Sequence, residues 1–99
     1  MFKFIAMSQD INDKIVNYLK RFNPRRIGIF GSYARNEDNP QSDIDILVDF
    51  PEKVTLFDLG GMKVDLSEML NRPIDIVTER GINSRIKDHI YRDLKIIFG

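Results

Sequence analysis

The segment from Asp43 to Phe50 constrains this chain more than any other. It opens by alternating acidic and aliphatic residues (Asp43, Ile44, Asp45, Ile46), a period of two that a helix cannot accommodate. On a strand, Ile44, Ile46 and Val48 point one way, toward packed helices, while Asp43 and Asp45 share the opposite face. Their Cα atoms are then about 6.5–7 Å apart. Two acids that close on an open face repel, and one of them resists ionisation unless a positive charge lies between them.

The rest of the chain arranges itself around that strand. Asn23-Pro24, Asn39-Pro40, Phe50-Pro51 and Arg72-Pro73 each separate two periodic segments. Ile11, Ile15, Leu19 and Phe22 recur at helical spacing, with Ser8 as the expected N-cap. Residues 26–30 and 74–78 are short and rich in β-branched side chains, and are predicted as strands. A helix is predicted over Thr55–Leu70, with Leu56, Leu59, Met62, Leu66, Met69 and Leu70 on one broad apolar face and a weak point at Gly60-Gly61. After Gly81, the spacing of Ile82, Ile86, Ile90 and Leu94 marks a last helix. Residues 96–98 either extend it or form a short extended edge. Strands alternating with helices give an α/β (α+β) domain, a small mixed β-sheet with helices on one face.

With 99 residues there is room for one domain, 1–99. Fifteen basic residues cancel fifteen acidic ones, which argues against a dedicated nucleic-acid or membrane-surface binder. The absence of cysteine removes disulfides, zinc thiolates and thiol nucleophiles. No apolar run approaches the ~20 residues needed to span a bilayer, and residues 1–7 are too short for a signal peptide, so a cytoplasmic location is expected.

The candidate chemistry lies between Gly31 and Val48. Asp75, on the third strand, is turned by the same alternation onto the face that carries Asp43 and Asp45. Three acids from two strands suit a pair of magnesium ions about 3.5–4 Å apart, because carboxylates and phosphate oxygens are the donors magnesium takes. Gly31-Ser32 follows the first strand, where a turn into a short helix leaves backbone N–H groups free for an anion. Ser32 can add a hydroxyl donor or simply cap that helix. Arg35 can pair with a phosphate or form a structural salt bridge.

Gly31-Ser32, Asp43-Ile44-Asp45 and Asp75, together with their flanks at residues 42–48 and 72–77, resemble the minimal nucleotidyltransferase family of the DNA polymerase beta superfamily. The resemblance runs over nearly the whole chain. One departure is Asn36, where many members carry glycine; asparagine tolerates a left-handed backbone, so the turn should survive. The resemblance implies a polymerase beta-like palm fold and transfer of a nucleoside monophosphate, AMP from ATP. Phosphates would sit at Gly31, Ser32 and Arg35, and two Mg2+ ions at Asp43, Asp45 and Asp75. Asp75 would complete the second ion site or take the proton of the incoming hydroxyl.

Larger members of the superfamily add a helical domain for the acceptor, which this length does not accommodate, so a second chain is expected to supply that surface. The resemblance implies a partner, an HEPN-type ribonuclease toxin adenylylated on a tyrosine by its antitoxin. Two other readings stay open: a non-catalytic module that blocks a partner sterically, and a transferase acting on RNA, which neither charge nor aromatic content supports.

Other residues are read more plainly. Asp49 ends its strand and is expected to be solvated. His89 falls at a boundary or exposed position. Lys20, Arg21, Arg25 and Arg26 form a basic cluster of the kind usually solvated. Phe57 and Val64, seven apart and nearly opposite the apolar face of their helix, are an aligned pair suited to a partner or a second copy of the chain.

Overall fold

The computed structural model describes residues 2–99, and side chains from Gln9 onward. The chain runs through α1 (Phe2–Leu19), β1 (Arg26–Phe30), α2 (Gly31–Ala34), β2 (Ile44–Asp49), α3 (Leu56–Leu70), β3 (Ile74–Thr78), α4 (Ser84–Asp93) and β4 (Lys95–Phe98). Single 3-10 turns occupy Lys20–Phe22 and Glu79–Gly81. The four strands form one mixed sheet in the order β3-β2-β1-β4. β1 is antiparallel to both β2 and β4, while β2 and β3 run parallel. A parallel pair needs a crossover, and α3 supplies it.

The alternation read from the sequence holds. Ile44, Ile46 and Val48 are fully buried beneath α1 and α3, in one core with Ile15, Leu19, Ile27, Ile29, Met62, Leu66 and Ile74. Leu47 and Ile90 are buried apart from that core, where α4 lies over the acid-bearing face beside β1. Thus α1 and α3 occupy one face, as expected, and α4 partly covers the other. Among the described residues, no helix is long and apolar enough to cross a membrane.

Several local expectations are corrected. Ser8 does not cap α1, which already begins at Phe2; a serine inside a helix costs only about 0.5 kcal/mol. Phe22 falls in the following 3-10 turn, which Asn23 ends in the left-handed region at φ 54°.

The buried stripe of α3 is narrower than its apolar residues suggest. Met62, Leu66, Leu59 and Leu70 lie within about 80° of arc at 3.6 residues per turn, and Leu56 and Met69 fall on its two flanks. Leu56 is accordingly 87% exposed and Met69 45%. α3 runs unbroken through Gly60-Gly61, and its ends are well closed. Thr55 Oγ1 accepts from the Asp58 amide (3.0 Å), Asp58 Oδ2 accepts from the Thr55 amide (3.1 Å), and Asn71 takes the left-handed position at the other end.

Residues 95–98 resolve as an edge strand on β1. A Cβ at Gly28 would come within 2.6 Å of Leu94 Cδ1 and 3.3 Å of the Lys95 carbonyl, so glycine there lets β4 approach.

Candidate active site

The site forms where β1 turns into α2 and where the parallel strands β2 and β3 present their acids. Gly31 opens α2 at φ 70°, a backbone state L side chains rarely adopt, and a Cβ on it would collide with Asp45 Oδ2. The turn closes through Glu37 N donating to Ser32 O (2.9 Å) and Asn36 N to Tyr33 O (3.2 Å). Asn36 sits at φ 59°, the left-handed state anticipated where glycine is common.

In the β2–β3 ladder, Asp45 stands directly beside Asp75. Neighbouring strands are only about 4.8 Å apart, so the two carboxylates share one patch of surface. Asp43 precedes the strand and is exposed, Asp45 is half-buried, and Asp75 is exposed. Burial pushes the Asp45 carboxyl up to about 6, with further upward pushes from the charges of Asp75 and Asp43 and an opposing pull from Arg35.

Two clefts flank these acids. One, about 260 Å³, takes in Gly31, Arg35, Asp45, Asp75, Ile86 and His89. The other, about 600 Å³, is lined by Asp43, Asp75, Lys63, Val64, Ser67 and Glu68. Asp75 borders both. A third cavity, beside Phe50, Thr78 and Arg80, lies at the far end of the same strands, away from the acids.

Among the described residues, no three acidic or imidazole side chains stand close enough to hold one ion unaided. Magnesium is ordinarily held by one or two carboxylates, with water and substrate phosphates completing its shell. Burial and the neighbouring charges of Asp75 and Asp43, which push the Asp45 carboxyl up, make an environment that such a cation relieves. The donor set therefore fits magnesium bound together with a nucleotide.

The remaining predicted residues sort out as follows. Ser32 is half-buried in the second position of α2; the N-cap position belongs to Phe30, so the capping alternative fails. Arg35 pairs through Nη1 with Asp93 (2.6 Å) and through Nε with Glu37 (3.1 Å), tying α2 to α4 while it faces the smaller cleft. Asp49 is not solvated: its side chain is 15% exposed and pairs with Arg25 Nε at 3.4 Å, because β1 lies alongside. His89 is exposed on the cleft rim, and its Nδ1 accepts from Arg92 (2.7 Å).

The basic cluster is engaged within the chain rather than merely solvated. Arg26 grips both oxygens of Glu79 (2.7 and 2.9 Å), Arg21 donates to the Tyr18 carbonyl and covers its ring, and Lys20 lies over Phe98. Phe57 is 90% exposed, and Val64 borders the larger cleft.

The sequence marks Arg72 only as a segment break and a motif flank. Arg72 pairs with Asp38 at 2.8 Å and holds the loop that leads into Asp43. The two residues are separated by an entire helix and strand, and no local signal in a single sequence links them.

Comparison with known proteins shows the family and the fold. Residues 13–97 match the nucleotidyltransferase domain family. A Methanocaldococcus jannaschii protein, provisionally named a protein adenylyltransferase, is 43% identical over 84 residues, 85% of this chain and 90% of its own length. The protein adenylyltransferase MntA of Thermococcus cleftensis is 37% identical over 75 residues, 76% of each chain. In fold, this chain is similar to one in the structure of a tri-AMPylated Shewanella oneidensis HEPN toxin in complex with MNT antitoxin. The TM-score is 0.79 at 22% identity, covering 93% of this chain and 72% of that one.

Proposed function

The chain belongs to the nucleotidyltransferase family, and from that premise we propose that it transfers AMP from ATP, with magnesium, to a hydroxyl of a partner protein. The acceptor in this reading is a tyrosine of an HEPN-type toxin, with the chain as the antitoxin. The observation that carries the proposal is the contact of Gly31 with Asp45, in register with Asp75, which sets the Gly31-Ser32 turn against paired carboxylates. The relatives' names support protein as the acceptor, and the toxin–antitoxin complex of like fold supports the partner.

The roles follow from position. Backbone N–H groups of the Gly31-Ser32 turn and the Ser32 hydroxyl bind phosphate oxygens, with Arg35 adding positive charge at the cleft wall. Asp43 and Asp45 would hold magnesium, with Asp75 able to complete a second site; the bound ions supply charge neutralisation on the phosphates. Asp75, bordering both clefts, accepts the proton of the incoming hydroxyl. The hydroxyl oxygen bonds to the α-phosphorus, the bond to the bridging oxygen breaks, and pyrophosphate leaves. Orientation and charge placement contribute most of the rate.

The test is incubation with magnesium and α-phosphate-labelled ATP in extract of the source cells, beside Asp45→Asn. A labelled protein band that disappears in the variant is the expected result. Label in RNA would move the acceptor to nucleic acid. A partner that co-purifies without ever being labelled would replace transfer with steric blocking.

A further inference from the structure

The side chain of Arg72 is 11% exposed and reaches both the loop at residues 38–42 and α2, beside the site. Its Nη2 lies 2.8 Å from Asp38 Oδ2 and donates to the carbonyls of Asn39 and Ser42, each at 3.0 Å. Its guanidinium lies 5.7 Å from the centre of the Tyr33 ring, in α2. Its Nε is buried with no partner among the described residues. Immediately beyond it, the Pro73 carbonyl accepts from the Ile44 amide at 3.0 Å.

These contacts have a common consequence. Residues 38–42 carry the chain from α2 to Asp43 through a turn closed by its own bonds, Ser42 N to Asn39 O (3.0 Å), Asn39 N to Ser42 Oγ (3.1 Å) and Gln41 N to Asn39 Oδ1 (2.8 Å); these fix the shape of the turn but not its place against β3. Arg72 stands at the entry to β3, three residues before Asp75. One nitrogen, Nη2, makes all of these polar contacts while the guanidinium plane lies by the Tyr33 ring, a reach and shape that a lysine ammonium does not reproduce. Burying that charge is costly unless it is paired, and here Asp38 pairs it.

We propose that Arg72 is a positioning residue for the acidic site: it fixes the loop at residues 38–42 against β3 and so sets Asp43 relative to Asp75. The proposal rests on the metal-dependent reading given above. Arg72 contacts neither nucleotide nor cation; it acts through the backbone of Asn39 and Ser42.

The test uses Mn2+ as the probe, titrated into the full chain and followed by electron paramagnetic resonance, with Arg72→Gln and Arg72→Lys beside the unaltered protein. Arg72→Gln should weaken Mn2+ binding by about tenfold or more, the scale on which partners of metal ligands act. Arg72→Lys, which keeps the charge but not the reach and planar shape of the guanidinium, should fall between. Amide hydrogen exchange should accelerate at residues 39–44 in both variants, and the α3 amides should stay protected. A folded Arg72→Gln protein that binds Mn2+ like the unaltered chain would overturn the assignment. Where that variant does not fold, Asp38→Asn decides by the same measurement, since it removes only the ion pair. Failure of the unaltered chain to bind Mn2+ even with ATP present would instead overturn the metal-dependent reading itself.

Discussion

The α-carbon of Gly31 faces the carboxylate of Asp45 so closely that no β-carbon fits between them. This contact joins the turn that ends β1 to the acid at the second position of β2, two pieces of chain held side by side by the antiparallel β1–β2 ladder, where Phe30 is opposite Asp45. Glycine is thus required at position 31 for two reasons at once, its left-handed backbone and its missing side chain.

Gly31→Ala separates these two effects from the rest of the fold. Alanine at φ 70° costs about 1–2 kcal/mol of stability. It also drives Asp45 from its place, so transfer to the partner should fall by about a hundredfold, as small misplacements in a reacting site do. Thermal unfolding beside a rate measurement checks both. A variant as active as the unaltered protein would show that Asp45 need not stand where it does.

Asp45 gives a pH dependence of definite sign. Its carboxyl is pushed up from 3.8 to about 6 in the folded chain, so between those values the folded state binds more protons than the unfolded one. Stability therefore falls as pH rises from about 4 to about 6, and this contribution is flat above that. Discounted for partial exposure, the loss is about 1 kcal/mol. Urea unfolding in chelator at pH 4.5 and pH 7.5 should show the fall, and Asp45→Asn should remove that share of it. Adding magnesium should stabilise the unaltered chain more at pH 7.5 than at pH 4.5, because binding to the folded state alone adds stability.

Where sequence and structure agree, local chemistry was sufficient. The period-two pattern around Asp45 set which side chains of β2 are buried in the core, and the left-handed turn that the family resemblance implied at position 36 is there. The misses concern what a residue meets in space. Leu56 is as apolar as Leu66, yet it lies on the flank of the α3 stripe and stays exposed. The tail at residues 96–98 was ambiguous until Gly28 made room for it on β1. Asp49 drew in Arg25 only because β1 lies alongside, and the Arg72–Asp38 pair exists only once α3 has brought β3 back to β2.

The ends of α3 offer a stability test away from the acids. Thr55→Ala removes one half of a reciprocal capping pair and should cost about 1 kcal/mol. Asn71, at φ 53°, should accept glycine with little change and alanine only at a cost of about 1 kcal/mol. Chemical denaturation of the three variants checks this. Equal stabilities for Asn71→Gly and Asn71→Ala would contradict the left-handed cap.

The outward face of α3 yields the last prediction. Phe57 is 90% exposed and Val64 57%, so changing both to serine removes almost no buried area and should move stability by less than about 0.5 kcal/mol. Val64 also borders the larger cleft beside Asp43 and Asp75, which places this face next to where an acceptor hydroxyl must arrive. A partner chain delivering that hydroxyl would cover the pair and gain from burying it. Light scattering of the co-purified complex should therefore show the mass of the free chain once both residues are serine, with the fold intact by circular dichroism. A complex of unchanged mass would mean that the partner approaches the acids from the α4 side, past Arg35 and His89.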